Sequence, residues 1–242
     1  MSRRTIAVTV LGAFAIVAAA HLVSQVIAPD SAFTDVSQWF LMPLLALGPV
    51  LVTSAPRDRL VVGTLVALGF SWLGDTAPDL VDGDASFLVL VGFFLCAQLT
   101  YIVAFLPYRR SSVARTRPWV VGLYALAVIA MVAVCASAAG ILVVPMAIYA
   151  SCLAAMAVLA TGVNRTAAVG AMLFVVSDAL IAVRAFVDAD LPAMGLWIMA
   201  TYIAAQALIV RGVLTAHDRS GRAYRSSSSL ATVTDVAASS DG

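Results

Sequence analysis

The sequence predicts an all-α protein, a polytopic integral membrane helical bundle with eight transmembrane helices and both termini cytoplasmic. Three observations lead there. Of the 242 residues, 62% are hydrophobic and 11% are charged, far below the roughly 25% charged share of soluble domains. Apolar runs recur along the chain, each close to the ~20 residues that a helix needs to cross a bilayer of ~30 Å. The charged residues between the runs sort by sign, as the positive-inside rule demands.

The first run, residues 5–28, follows Met1-Ser-Arg-Arg. A basic start before apolar residues also describes a signal peptide, but signal cores extend for only about 7 to 15 residues. This run can span a membrane and is predicted to be a retained first helix. Seven more follow at approximately 36–53, 60–78, 86–106, 118–136, 140–160, 166–187 and 193–215. Arg3, Arg4, Arg57, Arg59, Arg109, Arg110, Arg115, Arg117, Arg165 and the arginines of 211–225 then fall on one side. Asp30, Asp35, Asp79, Asp82, Asp84, Asp188 and Asp190 fall on the other. Thirteen of the fourteen arginines obey the rule, Arg184 being the exception. From His217 the chain turns to Ser, Arg, Ala and Asp, so residues 1–216 are expected to form the transmembrane domain and 217–242 a disordered cytoplasmic tail. Asp75 and Asp178 each lie on the third span of a half, and Thr-Tyr-Ile recurs at 100–102 and 201–203. A parallel repeat and chance matching in alanine-rich helices both account for this.

No soluble segment is large enough to hold a site, so function is expected among the helices. Cys96, Cys135 and Cys152 stand alone in apolar runs and read as small core residues. His21 and His217 are too few and too far apart for a multi-histidine metal site. No metal and no cofactor is expected. Nucleotide-binding loops, nucleophile elbows and nucleic-acid-binding patterns are absent from the sequence.

Within the spans the charged side chains are Asp75, Asp178 and Arg184. An aspartate at a helix centre costs roughly 2.5 to 3.5 kcal/mol on insertion, so it calls for a function and a partner. At 1.5 Å per residue the two aspartates reach heights within about 5 Å of each other, both in the outer half. Such a pair in apolar surroundings does not hold two negative charges, and sharing one proton leaves an acid beside a base, the equipment of general acid and base catalysis. Pro78 and the acidic loop beyond it also permit Asp75 to be a helix-terminal residue. Arg184, six positions past Asp178, lies about 120° around the helix and ~9 Å further out. It either snorkels toward Asp188 or binds a lipid phosphate. His21, Tyr149 and Tyr202 lie at comparable depth, with Gln98 and Gln206 nearer mid-membrane, each a packing residue or a member of the site.

Several blocks resemble the YhhN-like family of integral membrane proteins, which includes the lysoplasmalogenases. They are LMPLLAL at 41–47, SWLGD at 71–75, FLVLVGFFLCAQLTYIVAF from residue 87, VPMAIY at 144–149, GAMLFVVSDALIA at 170–182 and TYIAAQALI at 201–209. The resemblance implies hydrolysis of the alk-1-enyl ether bond of lysoplasmalogens, releasing a fatty aldehyde without a metal, with Asp75 and Asp178 as catalytic residues. Substrate is then expected to meet Ser71, Gln98, Tyr101, Tyr149, Ser177, Arg184, Tyr202 and Gln206. The partner is a lysophospholipid or other alkenyl ether lipid in the cell membrane, not a nucleic acid. The chain departs from the family pattern at three places, with Gln38 and Trp39 for a Lys-Pro pair, Gln98 for a histidine and Pro78 for a leucine. These bear on substrate choice more than on fold. Two other readings of the same aspartates are a carrier that binds a proton or cation, and a helical scaffold without chemistry.

Overall fold

The computed structural model describes residues 3–187 and 191–240, with the side chains of 3, 4, 84 and 223–240 outside the description. Asp188 and Asp190 of the expected acidic face therefore lie outside the described residues. The chain forms α1 (Arg3–Ile27), α2 (Ala32–Val52), α3 (Arg59–Thr76), α4 (Asp84–Phe105), the short α5 (Val113–Thr116), α6 (Pro118–Ala139), α7 (Val143–Val163), α8 (Arg165–Phe186) and α9 (Met194–Ser240). Among the described residues there is no strand. Large apolar side chains face outward, with Ile16 71% and Val103 70% exposed, while His21, Thr64, Ser71, Asp75, Gln98 and Gln206 are buried. Apolar outside and polar inside is the arrangement of an integral membrane protein, because lipid favours the first and a satisfied interior the second.

Seven helical stretches are long and apolar enough to cross a membrane. The sequence count of eight differs at one place. Residues Pro118–Val163 form a single apolar stretch of 46 residues, within which α6 and α7 are parted at Gly140, whose φ of 51° breaks the helix. Residues 121–129 of α6 and 151–159 of α7 line one pocket, and Met131 and Met146 share another nearer Gly140, as in two antiparallel helices. This outer pair is the least buried part of the bundle, and Cys135 and Ala139 are the buried residues of α6. Cys96 is exposed on the outer face, unlike the core residue the sequence suggests, because its helix is apolar on every side.

α9 runs through the middle, packed against α1, α2, α3, α7 and α8. Small residues allow the close approach. A side chain at Gly170 would meet the Ala205 carbonyl oxygen at 2.7 Å, and one at Gly63 would meet the Ala104 Cβ at 2.6 Å, the small-residue packing that membrane helices use in place of a hydrophobic drive. Side chains tie down the helix ends. Asp58 accepts from the Val61 N–H at 2.8 Å at the start of α3, and Asn164 accepts from Ala167 while donating to the Gly212 carbonyl at 2.7 Å, which satisfies donors that the helix cannot pair internally. Past the boundary expected at residue 216, α9 continues as helix, and His217 Nδ1 lies 2.5 Å from Asp58 Oδ2. That contact carries the packed part of α9 beyond the point where its hydrophobicity ends.

Candidate active site

Asp75 is in the last turn of α3, 6% exposed. Its Oδ2 accepts from the Tyr202 hydroxyl at 2.8 Å and its Oδ1 from Gln38 Nε2 at 3.5 Å. Asp75 does stand at the end of its helix, as Pro78 allowed, but its carboxylate turns inward to α9 and α2, and Asp79 takes the exposed role, accepting from Trp39 Nε1 at 2.8 Å. Tyr202 is fixed by edge-on contacts with Phe94 and Phe174, at centroid distances of 5.7 and 5.6 Å. Gly74 makes room for the Phe94 ring, which would lie 2.9 Å from any Cβ there.

Asp178, midway along α8, is half-buried and its Oδ2 accepts from the Tyr149 hydroxyl of α7. Both aspartates line one cavity of about 430 Å³, together with Gln25, Gln38, Ser177, Arg184 and Tyr202. Arg184 is exposed, at the rim. Ser177 lines the cavity while its hydroxyl donates to the Ile198 carbonyl at 3.1 Å. Asp178 and Tyr149 also border a narrow apolar slot of about 60 Å³ between α4, α7 and α8, walled by Phe87, Phe94, Met146 and Phe186. A second apolar pocket of about 140 Å³ reaches the same two residues from between α6, α7 and α8.

The other expected residues divide. Ser71, Tyr101 and Gln206 do not line the cavity; Gln206 donates to Ser71 Oγ at 2.9 Å and accepts from the Tyr101 hydroxyl at 2.7 Å, so their polar atoms satisfy one another behind Tyr202. Gln98 is fully buried, its amide set against the Tyr149 hydroxyl without a well-formed hydrogen bond, and among the described residues it has no other polar partner. Sequence reasoning missed Gln25. The signal was its i+4 spacing from His21, which puts two polar side chains on one face of an apolar helix. Among the described residues no cluster of His, Cys or Asp could hold a metal ion.

The fold and the cavity define a class, an integral membrane helical bundle with two carboxylates lining one cavity, one of which, Asp178, also borders an apolar slot. The YhhN family model matches residues 33–213, and the chain belongs to the YhhN family. No curated protein and no solved structure matches it.

Proposed function

We propose that the protein is a membrane hydrolase that cleaves the vinyl ether bond of a lysoplasmalogen-like lysophospholipid and releases a fatty aldehyde. The observation that carries this reading is the position of Asp178, which borders both the polar cavity it shares with Asp75 and the apolar slot. In this reading a single-chain lipid places the first carbons of its alkenyl chain against the slot, its headgroup in the cavity and its ether bond at the carboxylates. Family membership is compatible with a hydrolase. The antiparallel register of α6 and α7 supports eight passes, and the segregated arginines support cytoplasmic termini in the cell membrane.

Vinyl ether hydrolysis requires few groups. A proton is added to the alkenyl carbon one bond beyond the ether-bearing carbon, and the positive charge appears on the ether-bearing carbon as an oxocarbenium ion. Water then attacks that carbon and loses a proton to a base, and the resulting hemiacetal collapses to the aldehyde and the free glycerol hydroxyl. We assign the proton donor to Asp178, because it faces the slot that takes the chain, and the water-activating base to Asp75. The ionised partner also stabilises the oxocarbenium charge in a site of low dielectric. Tyr149 and Tyr202 hold the two carboxyl groups in position. Aldehyde release from an alkenyl lysophosphoethanolamine by the purified protein tests the proposal. No release with any of several headgroups, together with aspartate-dependent proton or cation flux in proteoliposomes, would replace it with the carrier reading.

A further inference from the structure

The polar cavity has two walls that the chemistry leaves unused, one on α1 and one at Arg184. Gln25 and His21, on α1, lie outside the residues that match the family, 33–213. Proton counting fixes how this pair is held. The Ser37 hydroxyl has one proton, which it donates to the Thr34 carbonyl at 3.0 Å. With that proton so placed, it accepts from the Nδ1–H tautomer of His21, whose Nδ1 is 2.9 Å away. His21 is fully buried, and with its proton on Nδ1 its Nε2 is an acceptor. Gln25 Nε2 donates to that nitrogen at 3.3 Å. The other end of the amide is held by shape, since Gln25 Oε1 packs where a Cβ on Gly195 would lie 2.3 Å away. An amide nitrogen carries two hydrogens, and this arrangement uses one. The second is left to donate elsewhere, and Gln25 and Arg184 both line the cavity.

We propose that Gln25, oriented by His21, forms with Arg184 a recognition site for a phosphate oxygen of the substrate headgroup. A guanidinium and an amide N–H are both donors without acceptor capacity toward the cavity, and phosphate oxygens accept from several donors at once. The site lies in the cavity that also takes the ether bond, so one phospholipid can reach Arg184 and the carboxylates together. The inference rests on the lysophospholipid reading for the nature of the attached chain.

The test is a binding measurement that does not depend on turnover. Full-length protein in detergent is titrated with a saturated 1-O-alkyl-glycerophosphoethanolamine, which has no vinyl ether to cleave, with the corresponding 1-O-alkylglycerol, and with inorganic phosphate. The phospholipid is expected to bind at least about a hundredfold tighter than the alkylglycerol, the size of two hydrogen bonds to a charged group. Gln25→Met and Gly195→Ala, which evicts Gln25 without touching a polar group, are each expected to remove about tenfold of that preference, and Arg184→Gln more. None of the three should change alkylglycerol affinity. Equal binding of the two lipids, or variants that weaken both alike, would overturn the proposal. Inorganic phosphate binding as tightly as the lipid would assign the site to a free anion and overturn the headgroup assignment. Headgroup preference without aldehyde release keeps this inference and removes the hydrolase, whereas release without preference does the reverse.

Discussion

Asp75 and Asp178 each accept a tyrosine hydroxyl, and each tyrosine has a glutamine beside it, yet the two arms are built to opposite ends. Behind Tyr202, Gln206 donates to Ser71 and accepts from Tyr101, and every member of the chain is buried. Behind Tyr149, Gln98 is equally buried, but neither amide atom makes a well-formed hydrogen bond among the described residues. Asp75 lies against one cavity, while Asp178 borders that cavity and both apolar pockets. A fully satisfied buried network rigidifies its members, so the Asp75 arm acts as a fixed wall. The Asp178 arm faces the space that a ligand would enter, and its glutamine has only a weak approach to the Tyr149 hydroxyl to set against the cost of burying an amide.

The largest expected effect is on turnover. Asp75→Asn and Asp178→Asn keep the shape and an acceptor oxygen for the tyrosine, so each should fold with little change in melting temperature. Each should lose about 10²- to 10⁴-fold in aldehyde release, the range of general acid and base catalysis. Full activity in either variant would remove that carboxylate from the chemistry and reduce the comparison to one of packing.

The next effect separates the arms by stability. Gln206→Met leaves the Tyr101 hydroxyl and Ser71 Oγ without their partner in a buried place. Two orphaned groups at about 1 kcal/mol each give a loss near 2 kcal/mol, to be read from chemical or thermal unfolding in detergent. An unchanged midpoint would show that the Asp75 arm is not the rigid side.

What was legible in the sequence follows the same division. A carboxylate in an apolar run is conspicuous by its insertion cost, and Asp75 and Asp178 were found in that way, as were the tyrosines at matching depth. Their facing was not legible. α4 and α7 are apolar all round, so no polar stripe distinguishes an inward position from an outward one. Ser71, Tyr101 and Gln206 consequently looked like substrate contacts and are bonded to one another, while Gln25, neutral and near the end of its helix, was marked only by its i+4 spacing from His21. The break at Gly140 was legible within a few residues, between the runs expected at 118–136 and 140–160, although the residues around it are as apolar as the helices they separate.

Exchanging the tyrosines should give effects near 1 kcal/mol that fall on different readouts. Tyr202→Phe leaves Asp75 with Gln38 at 3.5 Å as its remaining donor in a buried site, so its effect should appear mainly in stability. Tyr149→Phe frees a half-buried Asp178 that cavity contents can still reach. It should lower kcat by about tenfold with a smaller change in melting temperature. Equal shifts in both readouts for both variants would break the distinction between wall and working face.

The smallest expected effect is also the most specific to the open arm. Gln98→Met replaces a buried amide that makes no well-formed hydrogen bond with an apolar side chain of similar length, at the cost of its weak approach to the Tyr149 hydroxyl. Stability should therefore stay within about 0.5 kcal/mol or rise, since exchanging an unsatisfied polar group for an apolar one is neutral or favourable. The same exchange at Gln206 is expected to cost about 2 kcal/mol, although both glutamines are fully buried and adjoin a tyrosine. A loss at Gln98 as large as at Gln206 would mean that its amide is satisfied in the folded protein. Asp178 would then belong to a closed network like that of Asp75, and the substrate-facing role would have to rest on the cavities alone.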